Sequence, residues 1–181
     1  MWTANDWELI ESCFACQLSS EELLGWLPLN AREDWTRLCR RQRIAKGDRI
    51  FTEGEDSRGI YLLRVGKAEI SISQSQEARV YLRRSCANEV LGLTATLAGW
   101  PYEMNAEAIT SCDADFVARD DFLRFLRTHT DICNSITQYL SQKLTKVYQQ
   151  FSRLQTPQEL AKWSFKPNGA GRECDTNHKA A

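Results

Sequence analysis

Charge of either sign is not in surplus: 23 Lys and Arg face 24 Asp and Glu, a net charge of −1 over 181 residues. That balance excludes a strongly basic nucleic-acid binder and a protein held to a membrane surface by charge. No apolar run approaches the ~20 residues that a membrane-spanning helix needs. The opening Met1-Trp-Thr-Ala-Asn-Asp-Trp-Glu lacks the basic and apolar segments of a secretion signal, so the cytoplasm is the expected location. Histidine is scarce, with only His129 and His178 present. A P-loop, an HExxH motif and a nucleophile elbow are all missing, so no enzyme is expected. No internal repeat is visible.

What is present describes one ordinary core. Hydrophobic residues make up 43% of the chain, enough at this length for a single domain and a small appendage. The seven cysteines, without a secretion signal, are expected as reduced and mostly buried thiols.

Residues 1–26 carry helical signals. Trp7, Ile10 and Phe14 recur at helical spacing, and Ser19-Ser20-Glu21-Glu22 reads as a helix start. Pro28 ends that piece, and Asn30 is the expected cap of a helix over Ala31–Arg41, with Trp35, Leu38 and Cys39 facing inward. From Gln42 to Val117 the period falls to two. Ala68, Ile70 and Ile72 alternate with Glu69, Ser71 and Ser73. Across a turn at Gln74-Ser75-Gln76-Glu77, Val80 and Leu82 alternate with Arg79, Tyr81 and Arg83. Ile60-Tyr61-Leu62-Leu63 does not alternate, which predicts cover on both faces. Ala106, Ala108, Cys112, Ala114 and Phe116 read as one last strand with a bulge. Many short strands separated by turn signals argue for a roll or barrel.

Helical signals return at Asp120-Asp121, ahead of Phe122, Phe125 and Leu126. A second helix, starting near Asp131, carries the apolar line Ile132, Ile136, Leu140, Leu144, Val147, Phe151, Leu154, widened by Tyr139 and Tyr148. Spacings of four and three are those of a packing seam. Thr156-Pro157 breaks it, Gln158–Trp163 is long enough for two helical turns, and the remainder has no apolar period.

The stretch Glu89-Val-Leu-Gly-Leu-Thr-Ala-Thr-Leu-Ala-Gly-Trp-Pro-Tyr-Glu-Met-Asn-Ala-Glu-Ala108 reads as a turn at Gly92, a short helical turn to Leu97 and a break at Gly99-Trp100-Pro101. A new strand follows near Met104. A helix that opens just after a glycine leaves backbone N–H groups free for an anion. Upstream, Lys46-Gly47-Asp48, Glu53-Gly54-Glu55 and Val65-Gly66-Lys67 punctuate the short strands. This ordered series resembles the cyclic-nucleotide-binding β-roll of Crp/Fnr transcription regulators, over about Leu27 to Leu154.

The resemblance implies a mainly β fold with flanking helices, a double-stranded β-helix or jelly roll followed by a long helix. Nucleotide-binding members carry a Gly-Glu pair and, about ten residues on, an Arg and a small hydroxyl residue; the Glu takes the ribose hydroxyl and the Arg the cyclic phosphate. Here Gly92 matches, Leu93 replaces the Glu, Tyr102 or a neighbour stands at the Arg and Glu103 follows, with Glu107 a further like charge. Cyclic-nucleotide binding by the usual contacts is therefore not expected. Gly92, Leu93, Thr94, Trp100, Tyr102 and Met104 remain an effector-pocket set, either as the lining for a different small molecule or as side chains that fill the roll.

Cys13-Phe-Ala-Cys16 is a C-x₂-C pair, and by resemblance Cys112 stands at the distal cluster ligand of Fnr-type sensors. An Fe–S cluster wants four thiolates, and no third N-terminal cysteine lies nearby. Cys174 and His178 offer a Cys₃His zinc alternative with Cys13 and Cys16. Plain thiols are the expectation, with no metal and no cofactor. Arg37, Arg40, Arg41, Arg43 and Lys46 form a local basic cluster, read as a solvated face in preference to a contact for an acidic partner.

The expected organisation is a helical segment at 1–26, a cyclic-nucleotide-binding-like roll at 27–128, a dimerisation helix at 129–155 and a remnant or tail at 156–181. The expected partner is a second copy, paired in parallel through the seam. A small-molecule effector is open, a membrane is not expected, and DNA is expected only if a helix-turn-helix is supplied beyond this chain. The expected function is the sensory and dimerisation half of a Crp/Fnr-type regulator whose DNA-binding half is truncated or lost. The alternatives are a stand-alone interaction module of the same fold and a cysteine-based metal or redox sensor.

Overall fold

The computed structural model describes residues 18–73 and 79–153, with side chains up to 149. The helix expected around Trp7, Cys13 and Cys16, the turn at Gln74-Glu77, the side chain of Phe151, Leu154 and the segment 156–181 lie outside the described residues.

The first helix, α1 (Ser20–Gly25), starts where the sequence places it. The Ser19 hydroxyl accepts from the Glu22 N–H at 3.0 Å, and Glu22 Oε2 accepts from the Ser19 N–H at 3.1 Å. This reciprocal cap satisfies two orphan donors. Helix α2 (Leu29–Leu38) differs from the expected Ala31–Arg41. Pro28 is its cap residue, not Asn30, and Cys39 is already extended at φ −69°, ψ 126°. The chain then enters β1 (Arg40–Ile44), whose residues pair with a late strand. Sheet pairing takes Arg40 and Arg41 away from the helix, a competition local propensity cannot see.

Seven further strands follow: β2 (Arg49–Phe51), β3 (Gly59–Val65), β4 (Lys67–Ser73), β5 (Arg79–Cys86), β6 (Glu89–Leu91), β7 (Asn105–Ala108) and β8 (Cys112–Ala118). A short helix, α3 (Leu93–Ala98), lies between β6 and β7, and α4 (Arg119–Thr128) and α5 (Thr130–Arg153) close the described chain. Two four-stranded antiparallel sheets, β1-β8-β3-β6 and β2-β7-β4-β5, face each other. The last strand expected from Ala106 to Phe116 is in fact two strands in different sheets, with Ile109–Ser111 as the corner. The even spacing from Ala108 to Cys112 preserves the inward phase through that corner: both are buried.

The two faces of β3 explain its unbroken apolar run. Ile60 and Leu62 join the cluster shared with the helices, whereas Tyr61 and Leu63 join the cluster between the sheets. Trp35 of α2 meets the Phe125 ring of α4 edge-on at 5.2 Å, within the range favoured by aromatic pairs.

At about 1.5 Å per residue, the 24 residues of α5 span roughly 36 Å. Its first half packs on its own domain: Ile132 and Ile136 are buried with Leu18, Trp35 and Phe122, and Leu140 is partly covered. These two isoleucines of the expected seam face inward, so they offer no surface to a second chain. Beyond Leu140 the apolar line emerges, with Leu144 53% exposed. Among the described residues, no helix is long and apolar enough to cross a membrane.

Candidate functional site

A cleft of about 230 Å³ opens between the roll, α3 and α5. Gly92 is its pivot. It holds φ +76°, and a Cβ there would sit 2.8 Å from Tyr102 Cε1 and 3.2 Å from the Gly59 oxygen. Only glycine combines that backbone with so close an approach. Gly99, also left-handed, ends α3 by donating its N–H to Ala95.

Five of the six residues predicted for the pocket line this cleft: Gly92, Leu93, Thr94, Tyr102 and Met104. Trp100 does not. It lies 63% exposed, because the chain turns outward after Gly99 and Pro101 then bridges to Asp56. Leu93, at the position where the resemblance puts a carboxylate, is buried in the core shared with the helices.

Tyr102 is 2% exposed, and its ring stacks on Phe51 at 4.1 Å. Its hydroxyl accepts from the N–H groups of Arg58 (3.1 Å) and Gly59 (3.2 Å) and donates to the Gly59 carbonyl at 2.8 Å. Three hydrogen bonds to backbone thus hold the phenol hydroxyl in the wall of the roll. Burial is the main cause that raises its pKa, opposed by those backbone bonds. Tyr61, next to it, is pushed up to about 12, chiefly by burial and then by the neighbouring Tyr102.

The cation of the cleft is Arg83, which the alternation in β5 reads as outward-facing. A bulge shifts the β4–β5 register, so that Ile70 pairs with Arg83 and Ser71 with Tyr81. Residues paired across strands share a face, which turns Arg83 inward with Ile70. Arg83 Nη1 donates to Glu89 Oε2 at 2.8 Å, and Glu89 also accepts from the Ser85 hydroxyl (2.5 Å) and the Cys86 N–H (3.0 Å). Arg83 Nε is buried without a hydrogen-bond partner among the described residues. Nothing in the local pattern marks this residue; the bulge is a property of the paired strands. Tyr139 and Leu140 of α5 complete the lining, and Leu140 is a residue the periodicity assigns to the seam alone.

The other candidates are not brought to this cleft. Cys112 is packed under Gly66, its Sγ 3.4 Å from the Lys67 carbonyl oxygen. Burial and then the nearby Asp115 push the Cys39 thiol up to about 11. Among the described residues, no group of three or more metal-ligating side chains converges. In the basic cluster, Arg41 and Arg43 lie 3.3 and 3.7 Å from Asp113, and Arg40 lies 3.9 Å from Asp121. Exposed pairs of this kind contribute little to stability. Glu107 is likewise engaged on the surface, by Arg79 at 3.2 Å.

Residues 41–129 match the family of the cyclic nucleotide-binding domain. The match spans 89 of the 181 residues. The fold of the chain is that of solved regulator structures. It resembles the catabolite activator protein of Thermus thermophilus with TM-score 0.65 and 18% identity, covering 73% of this chain and 62% of that one. It also resembles the sensor domain of the transcriptional regulator DNR from Pseudomonas aeruginosa, with TM-score 0.63 and 18% identity over 74% of this chain and 88% of that one. A third likeness is to the N-terminal domain of a transcriptional regulator from Streptomyces coelicolor A3(2), with TM-score 0.61 and 16% identity over 70% and 88% of the two chains. The present chain thus covers just over three-fifths of the Thermus protein. No curated protein sequence matches it. The cyclic-nucleotide-binding β-roll expected from the ordered glycines is therefore the observed fold, with the long helix in its expected place after the domain.

Proposed function

We propose that this chain is the sensory and dimerisation module of a Crp/Fnr-type transcription regulator, and that its cassette does not hold a cyclic nucleotide by the usual contacts. The observation that carries this reading is Tyr102. Where the resemblance places a guanidinium for the cyclic phosphate, a neutral phenol is buried and its hydroxyl is engaged with Arg58 and Gly59. Leu93 in place of the ribose-binding carboxylate, and Glu103 beside the cleft, work in the same direction. The module acts by binding rather than by catalysis, in the cytoplasm. It touches DNA only through a helix-turn-helix supplied beyond this chain.

The exposed half of α5 supports pairing with a second copy. Leu144 continues, one turn on, the line of buried Ile132, Ile136 and half-buried Leu140. An apolar stripe that runs from core into solvent is a surface that association would cover.

Calorimetry with cyclic AMP and cyclic GMP at micromolar protein tests the cassette. No one-site binding is expected, and saturable one-site binding of either nucleotide overturns the reading.

A further inference from the structure

We infer that α5 meets a second copy through the face headed by Cys133, and that a hydroperoxide locks the pair by joining the two Cys133 sulfurs. The inference rests on the pairing of α5 proposed above, and adds to it a face, a register and a redox control.

Two faces of α5 are distinct. Ile132, Ile136 and Tyr139 are buried in the core of their own domain. Cys133 is exposed, and its thiol is free. Each helical residue advances by about 100°, so Ile132 and Ile136 lie about 100° and 60° around the helix from Cys133. By the same measure Leu140 and Leu144 lie about 20° to either side of it. Cys133 therefore heads the stripe that leads to exposed Leu144.

This stripe suits a copy of itself. Two-fold pairing sets a residue near the axis against its own twin, where a charge would repel itself. Between residues 130 and 149 the charged residues are Asp131, Lys143 and Lys146, and each lies about 80° or more around the helix from Cys133. Thr137, one turn on, donates its hydroxyl to the Cys133 carbonyl at 2.8 Å and makes no demand on a partner.

Parallel pairing in register brings the two thiols together. Packed helices lie about 8–10 Å apart and carry their Cα atoms at a radius of about 2.3 Å, so facing Cα atoms come within roughly 4–6 Å. A disulfide spans about 4.4–6.8 Å between Cα atoms. The other described cysteines fit less well. Cys112 is buried, Cys39 is half-buried with its thiol pushed up to about 11, and Cys86 stands on β5.

The chemistry closes with hydrogen peroxide as the oxidant. One Cys133 thiolate attacks a peroxide oxygen, the O–O bond breaks, and a sulfenic acid forms as water leaves. The thiolate of the second copy attacks that sulfur, so that the S–S bond forms, the S–O bond breaks and a second water leaves. Two thiols and one peroxide give one disulfide and two waters. A dithiol reverses the step, as a transient cytosolic disulfide requires.

The test treats the full chain with hydrogen peroxide and reads it by non-reducing electrophoresis and by mass spectrometry of its disulfide peptides. A dimer band is expected, joined through two copies of the Cys133 peptide and lost in dithiothreitol. Cys133→Ser is expected to abolish that band and Cys86→Ser to leave it. A second variant separates geometry from simple reactivity: Asn134→Cys combined with Cys133→Ser moves the thiol to another exposed position, about 100° around the helix, and is expected to stay unlinked. Sedimentation of the reduced chain distinguishes the two readings. A reduced monomer at tens of micromolar overturns the proposed pairing, and this inference with it. A reduced dimer that forms no Cys133 disulfide, or that links equally through position 134, overturns this inference alone.

Discussion

The Tyr102 hydroxyl donates to the Gly59 carbonyl across 43 residues of sequence, at 2.8 Å in the buried wall of the roll. It ties the segment after α3 to the first residue of β3, beside Gly92. Removing the oxygen in Tyr102→Phe keeps the stacking on Phe51 but leaves the Gly59 carbonyl and two N–H groups short of a partner. We expect a loss of about 1–3 kcal/mol, the cost of stranding buried polar groups. Urea unfolding monitored by circular dichroism measures it; an unchanged midpoint means the hydroxyl holds nothing.

Gly92→Ala probes the other side of the same contact. The added methyl meets Tyr102 Cε1 at 2.8 Å on a backbone at φ +76°. A non-glycine residue in the left-handed region costs roughly 1–2 kcal/mol, and displacement of the ring adds to it. Thermal melting is expected several degrees lower, in the range a small domain shows for such a change. A variant that melts with the parent contradicts the crowding.

Alkaline pH should unfold the protein through its buried phenols. Burial raises Tyr61 from 10.0 to about 12 and raises Tyr102 as well. Both are acids that the fold keeps neutral, so above pH 10 the unfolded chain loses protons that the folded chain retains. Stability is therefore complete below pH 10 and falls as pH rises towards 12. Phenolate absorbance followed together with circular dichroism should show these tyrosines ionising late and with the loss of structure. Early ionisation in an intact fold would remove this account.

Along α5, two substitutions should separate folding from association. Ile136 is 2% exposed and belongs to the domain's own core; Ile136→Ala is expected to cost about 2–5 kcal/mol of fold stability. Leu144→Glu touches an exposed position and is expected to leave the monomer fold intact while abolishing dimers, since two carboxylates would face each other in the pair. Gln142→Glu, on an exposed position, is the tolerated control. Sedimentation equilibrium decides: a parent chain that is monomeric at tens of micromolar, or a fully dimeric Leu144→Glu, contradicts the proposed interface.

Much of this architecture is local chemistry. Ser19 and Glu22 specify a helix start by their own reciprocal hydrogen bonds. Ala68 and Ile70 declare an inner face through strand alternation, and the apolar run at Ile60–Leu63 declares two covered faces. Gly92 and Gly99 bracket α3 because each adopts a backbone that other residues avoid. Such features depend on neighbours within a few positions, so the chain alone determined them, along with the absence of a carboxylate at Leu93 and of a guanidinium at Tyr102.

Other features depend on which segments meet. Periodicity carries Ala108 and Cys112 inward in one phase, yet only the pairing of β7 with β4 and of β8 with β3 assigns them to opposite sheets. Arg83 obeys an outward alternation in sequence; the bulge between β4 and β5 turned it into the cleft, and Glu89 made its burial tolerable. Ile132 and Leu144 carry equal apolar signals on one helix line, and α5 covers the first while it outruns the domain before the second. Burial is a relation between distant residues, so tertiary structure alone decided which apolar positions became core, which became cleft and which stayed in water.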